Sequence, residues 1–186
     1  KGLVTEAELQ DLVKAQIGKT LSFADLDALV AEITNYLREK KGYLLARAYL
    51  PRQDVTFGSI EIAIQIGKID GSVAIELKLS TRIDPSFLQK IANSAVPEGS
   101  VLRNEELERA VLLINDLPGI KAKASLERGD TPGAARVLIH AEEGKLVTGL
   151  LSADNYGDRY TGTARGNALL TLNDPFGHGE QLSVSY

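Results

Sequence analysis

Between Leu146 and Tyr186 the residues alternate with period two, and no other feature limits the fold as severely. From Thr161, one face of an extended strand collects Gly162, Ala164, Gly166, Ala168, Leu170 and Leu172, while Thr161, Thr163, Arg165, Asn167, Thr171 and Asn173 take the other. Val147, Gly149, Leu151 and Ala153 oppose Thr148, Ser152 and Asp154 before it, and Leu182, Val184 and Tyr186 oppose Gln181, Ser183 and Ser185 after it, with Leu150 and Leu169 as misfits. Two architectures fit. A soluble sandwich turns the apolar set to a core, which selects bulky side chains. An outer-membrane barrel turns it to lipid and the polar set to a wet lumen, with strands of roughly 9 to 11 residues and aromatic residues near the interfaces. Small apolar side chains and Tyr156, Tyr160, Phe176 and Tyr186 near strand ends lean towards the barrel, but periodicity alone leaves both readings open. Arg165 suits only a lumen, since at a lipid midplane it would cost roughly 2–4 kcal/mol. Three strands cannot close a barrel. On the barrel reading the chain, which starts at Lys1 and stops inside an alternating run, is expected to be a fragment.

Composition narrows the function classes. A net charge of −4 without a Lys/Arg block argues against a nucleic-acid surface, which needs clustered cations. Zero cysteine excludes thiol catalysis, disulfides and thiolate metal sites. His140 and His178 fall in different elements without a second ligand at metal spacing, and neither a nucleophile–base pattern nor a phosphate-cradling glycine loop occurs. Glu142 and Glu143 are strand neighbours and point to opposite faces. The expectation is no enzyme, no metal and no cofactor.

Ahead of the alternating region the chain repeats itself. Thr5 caps a helix with Leu9, Leu12, Val13 and Ile17 inward, closed by Gly18. Ser22, with Asp25 in a capping-box position, opens a second with Leu26, Leu29, Val30, Ile33 and Leu37 as its stripe, ending at Gly42. Strands are expected at Tyr43–Leu50 and Ile60–Ile66, joined by a loop in which Pro51, Gln53 and Asp54 read as turn chemistry. Val73 to Leu79 alternates as a new strand, Asp84 and Pro85 start a helix with Phe87, Leu88, Ile91 and Ala95 inward, and Asn104 caps another with a Leu107, Val111, Leu112, Ile114 stripe. Strands at Ile120–Leu126 and Ala135–Ala141 follow. Sliding by about eighty residues superposes Leu21 on Leu102, Leu26 on Leu107, Val30 on Val111 and Ile33 on Ile114. The expected architecture is α+β: two tandem βααββ modules, 1–67 and 68–144, the first lacking its leading strand, then alternating strands at 145–186, which on the barrel reading are the first strands of a barrel.

Several stretches carry a resemblance: Gly42 to Leu45 with Arg47 to Val55, then Leu112-Leu113-Ile114-Asn115-Asp116-Leu117-Pro118-Gly119, Ala153 to Gly157 with Tyr160 to Gly162, and Leu172-Asn173-Asp174-Pro175-Phe176-Gly177. In this order, across essentially the whole chain, they resemble the POTRA modules and barrel start of two-partner secretion outer-membrane transporters, the ShlB/FhaC/HecB haemolysin secretion/activation family (TpsB). The resemblance implies periplasmic modules that capture an unfolded secreted partner, a TpsA-like exoprotein, and pass it through a lipid-embedded barrel without ATP or cofactor. The family's plug helix, most of its barrel and its long inward loop have no counterpart here, so this piece is expected to bind a client and not to translocate it. A barrel-assembly factor of BamA type, or a soluble periplasmic protein-binding scaffold, are the alternatives.

Recognition by β-augmentation needs an exposed sheet edge. The resemblance puts the strand after the helices at that edge, giving Ile120, Lys121, Ala122, Lys123, Ala124, Ser125 and Leu126 in the second module and Tyr43, Leu45, Arg47 and Tyr49 in the first. Lys121, Lys123 and Arg128 would steer an acidic or polar client, or simply discourage unwanted pairing. Asp154 to Gly157 reads as structural. Cut out alone, Leu146–Tyr186 is expected to need detergent or a partner sheet to stay ordered; a monomeric, closed sandwich in water, seen by size and circular dichroism, overturns the barrel reading.

Overall fold

The computed structural model describes residues 4–54, 58–78, 81–160 and 162–186. Val55, Leu79 and Thr161, which the sequence reading placed in a motif or a strand, lie outside them. The chain divides into two compact units: Lys1–Ser72 with Pro97–Leu107 and Glu127–Arg136, and Val73–Val96 with Glu108–Leu126 and Val137–Tyr186.

In the first unit, α1 (Glu6–Val13) starts where the Thr5 amide donates to the Glu8 carboxylate at 3.2 Å. Leu9, Leu12 and Val13 pack against the core. Ile17, expected to extend that stripe, is 72% exposed, because a tighter 3-10 turn at Lys14–Gln16 shifts the helical phase. The Lys41 ammonium, 2.5 Å from Glu8, holds that carboxyl below its ordinary range. In α2 (Phe23–Asn35), Asp25 N donates to Ser22 Oγ at 3.3 Å and Ser22 N to Asp25 Oδ2 at 2.8 Å, the reciprocal cap expected. A wider turn at Tyr36–Lys40 continues the helix, and Gly42 at φ +73° ends it in the left-handed region that L side chains avoid. Leu29, Ile33 and Leu37 are buried with Tyr43, Ala46 and Ala48.

The expected strands of this unit shrink. β1 is Arg47–Tyr49 and β2 is Ala63–Gln65, antiparallel with Ala48 opposite Ile64. Tyr43 N donates to Leu37 O at 3.0 Å and Ala46 N to Tyr43 O at 3.2 Å, so a turn occupies the start of the expected Tyr43–Leu50 strand.

β3 (Ala74–Leu77), β4 (Ile120–Arg128) and β5 (Ala135–Glu143), which lie in the second unit apart from the β4–β5 hairpin end, form a sheet in the order β3-β5-β4, with β3 parallel to β5. α3 (Pro85–Ala95) is capped by Asp84, whose carboxylate accepts from Ser86 N at 2.8 Å, a bond that lowers its pKa. α4 spans Asn104–Asn115, so Asn104 stands inside the helix it was expected to cap. Leu88, Ala92, Val96, Ile114, Val137 and Ile139 are fully buried. Leu112, expected in the α4 stripe, is 62% exposed, since two positions before Ile114 lies off the face that Ala110 and Ile114 share.

The alternating region forms an antiparallel meander: β6 (Val147–Asp154), β7 (Arg165–Asn173) and β8 (Gln181–Ser185). β7 begins at Arg165. Ahead of it, Gly157 N donates to Thr163 O and Gly162 N to Asp158 O, both at 2.9 Å. The β7–β8 turn packs on the start of α3: Asp84 N donates to Gly177 O at 3.1 Å, and a Cβ on Gly177 would meet Arg82 O at 3.0 Å. Asp174, fully buried at φ +51°, accepts from Gly179 N at 2.7 Å.

Among the described residues no helix is long and apolar enough to cross a membrane, a statement about helices alone. The architecture is α+β, tandem helix–strand modules followed by strands of the kind that begin a β-barrel. Leu88→Ala empties a site with no exposure and should cost about 2–5 kcal/mol in urea unfolding. Phe23→Ala, at a side chain 75% exposed, should change the midpoint little.

Candidate functional site

The order β3-β5-β4 leaves β4 on the rim of its sheet. Along a strand, main-chain groups point alternately towards the paired strand and away from it. Gly129 N donates to Ala134 O at 3.1 Å across the hairpin end, so odd-numbered residues face β5. At the other end Ile120 N donates to Leu117 O at 3.1 Å and Ala122 N to Asn115 Oδ1 at 2.8 Å, both away from the sheet. The outward set is therefore Ile120, Ala122, Ala124 and Leu126. Their side chains lie on the apolar face, with Ile120 and Ala122 buried and Leu126 38% exposed. Lys121 and Lys123 are exposed on the opposite face, and Arg128 is exposed at the strand's end. Ser125 is half-buried between them.

Asn115 closes one position of this rim. Its Nδ2 donates to Ala122 O at 3.1 Å and to Val111 O at 2.9 Å, so a carboxamide braced on α4 meets the amide and carbonyl of Ala122 as a neighbouring peptide would. Among the described residues no such bond reaches the outward groups of Ala124 or Leu126.

In the first module only Arg47 and Tyr49 of the expected edge residues lie on a strand, the Arg47 guanidinium 5.6 Å from the Tyr49 ring centre. Tyr43 is buried and bridged to Arg103, and Leu45 sits in the turn before β1. Here Ala48 N donates to Thr34 Oγ1 at 3.0 Å, Thr34 Oγ1 donates to Val30 O at 2.9 Å, and Arg38 Nε donates to Ala46 O at 2.9 Å. Gln53, expected as turn chemistry, accepts from Glu61 N at 2.6 Å and donates to Glu61 O at 2.8 Å. Sequence reasoning passed over Asn115 and Thr34 as edge residues. The signal was available: the offset that superposes Val30 on Val111 also puts Thr34 on Asn115.

The open face of the second sheet carries a polar line, Glu76 Oε2 2.9 Å from His140 Nδ1 and His140 Nε2 3.0 Å from Ser125 Oγ, beside the Lys78–Glu142 pair at 3.3 Å. An open cleft of about 660 Å³ lies over it. The order serine, histidine, carboxylate is that of a nucleophile relay, but acyl transfer also needs preorganised N–H donors in a dry pocket. Here the Ser125 main chain belongs to the β4–β5 ladder, while the His140 and Glu76 side chains are 49% and 63% exposed. The line orders a solvated sheet face. Glu142 and Glu143 part as expected, Glu142 to Lys78 and Glu143 to Arg82.

The β6–β7–β8 sheet has two unlike faces. Leu151 (83% exposed), Leu170, Leu182 and Val184 share one with Gly149 and Ala168, and none of the described residues covers it. The other pairs Asp154 with Arg165 at 2.8 Å, Ser152 with Asn167 at 3.4 Å and Thr171 with Ser183 at 3.2 Å. Leu150 and Leu169, the misfits of the strand pattern, are each other's register partners. A bare apolar face backed by a hydrogen-bonded polar one is what lipid on one side and water on the other select.

Comparison with known proteins agrees with this geometry. Residues 1–67 match the ShlB-type POTRA domain, and residues 133–186 match the haemolysin secretion/activation protein ShlB/FhaC/HecB. The heme/hemopexin transporter protein HuxB of Haemophilus influenzae is 32% identical over 181 residues, which are 97% of this chain and 31% of HuxB. The outer membrane transporter CdiB of Escherichia coli is 28% identical over 98% of this chain and 30% of its own length. A solved structure of CdiB from Escherichia coli superposes with a TM-score of 0.76 at 29% identity, over 98% of this chain and 33% of that one. The chain thus spans about a third of the relatives it matches.

In the full-length protein, Leu151→Arg should lower stability in a bilayer by roughly 2–4 kcal/mol, whereas Asn167→Arg on the polar face should be near neutral, read from urea unfolding in liposomes. Equal costs would remove the assignment of the faces.

Proposed function

We propose that this chain, which belongs to the haemolysin secretion/activation family of ShlB, FhaC and HecB, is the periplasmic receiving region and barrel onset of an outer-membrane transporter that exports a large partner protein. Module boundaries at 1–67, 68–144 and 145–186 accompany that reading. HuxB and CdiB are named as transporters, CdiB as one of the outer membrane. A closed barrel needs more strands than β6, β7 and β8, and the greater length of those relatives accommodates them.

The observation that carries the reading is the rim strand β4, whose outward groups at Ala124 and Leu126 meet no partner among the described residues. An unfolded client offers main-chain donors and acceptors at every residue, so an edge of this kind captures an extended segment with little demand on its sequence. Lys121 and Lys123 favour acidic neighbours on the client strand and raise the encounter rate. Binding and release on such an edge make and break no covalent bond. The proposed role calls for no catalysis and no cofactor.

Ala124→Pro removes an outward N–H without touching the β5 ladder, a substitution that rim strands tolerate. Binding of the secreted client's unfolded segment, measured by calorimetry, should weaken by about tenfold, the value of one hydrogen bond of roughly 1.4 kcal/mol. Unchanged affinity in a variant with native circular dichroism would refute docking on this edge.

A further inference from the structure

We infer that the two modules are not equivalent docking sites: Thr34 and Arg38 close the three-residue edge of the first to all but one carbonyl, and Asn115 closes the second only as far as Ala122, so a client strand pairs with the second module alone, in a register that begins at Ala124. The inference rests on edge docking as proposed above and specifies its module, its register and the residue that sets it.

β1 is short, and the only outward residue within it is Ala48. Its amide is taken by the Thr34 hydroxyl, and the preceding outward carbonyl, that of Ala46, by the Arg38 side chain. Among the described residues the Ala48 carbonyl alone is left within the strand, one acceptor without the donor that an added strand also needs. β4 is three times as long, running from Ile120 to Arg128. Asn115 satisfies both groups of Ala122, and its second Nδ2 proton goes to Val111 O, so the carboxamide is held from the helix side and occupies the place a client peptide unit would take. Ala124 and Leu126 come next in the outward set. A strand added there covers Leu126, 38% exposed on the apolar face, and runs beside Lys123 on the polar one. The fitting occupant is an extended polypeptide that alternates apolar and acidic residues, apolar over Leu126 and acidic beside Lys123.

The test uses the whole chain, isotope-labelled in detergent, with a synthetic peptide of alternating valine and glutamate as the probe and amide hydrogen exchange as the readout. The peptide should slow the Ala124 and Leu126 amides by about tenfold or more, leave Ala48 unchanged, and leave the Asn115 carboxamide protons in slow exchange. In Asn115→Ala the Ala122 amide should exchange faster in the free chain and become protected when peptide is added, extending the register. Asn115→Thr, which keeps an acceptor for Ala122 as Thr34 does for Ala48, serves if the alanine variant does not fold, and should retain Ala122 protection without peptide. Slowing at Ala48 would overturn the choice of module. Release of the Asn115 carboxamide protons on peptide binding would overturn the register while leaving docking intact. No slowing at any of the three amides would overturn edge docking itself, and the inference with it.

Discussion

Each β-strand has two rows of main-chain donors and acceptors, and a row without a partner strand must be met by side chains, water or another molecule. That requirement governs all three sheets here. A buried unpaired group costs on the order of 1–3 kcal/mol, and an exposed unpaired row is a template for any chain that reaches it. The first module closes its short edge with a hydroxyl and a guanidinium, the second closes part of a long edge with a carboxamide, and the β6–β7–β8 sheet presents rows on both sides. The same physical demand is thus answered by capping, by partial capping and, in the barrel reading, by further strands.

The faces obey a parallel rule. Burial in the modules runs to completion, with Leu88, Ile114, Val137 and Ile139 fully enclosed between helices and sheet. In the β6–β7–β8 sheet Leu151 and Val184 are bare while the reverse side is laced by Asp154–Arg165 and Thr171–Ser183. A sheet in water would not expose that apolar set and bond the polar one; exchange of water for lipid reverses which face is costly. The turn between β7 and β8, with Asp174 buried and Gly177 against Arg82, fixes this sheet to the start of α3, so an element with a bare apolar face and a module with an enclosed core share one compact unit.

Helix ends and strand alternation were legible in the residues because both depend on neighbours in sequence. Ser22 with Asp25, and Asp84 before Pro85, cap their helices as read. What escaped depends on groups distant in the chain. The Tyr43–Leu50 strand shortened because the Tyr43 amide found Leu37 O. Ile17 left its stripe because a 3-10 turn changed the period. Leu150 and Leu169 looked like errors strand by strand and became a matched pair only once register was known. The rim position of Ile120–Leu126 followed from the family resemblance, while the closing of Ala122 by Asn115 needed the relative placement of α4 and β4, which no local pattern encodes.

The chemistry of the capping residue decides how much edge is closed. A threonine hydroxyl has one proton, and at Thr34 that proton goes back to Val30 O, leaving an acceptor for one amide and nothing for a carbonyl; Arg38 supplies the missing donor. A carboxamide has two protons and a carbonyl oxygen, enough to brace itself on Val111 and still meet both groups of Ala122. Equivalent positions of the repeat therefore meet the amide of Ala48 in one module and both groups of Ala122 in the other. The consequence differs because β4 continues past its cap and β1 does not, so strand length combined with one side chain converts two similar modules into one closed edge and one open edge.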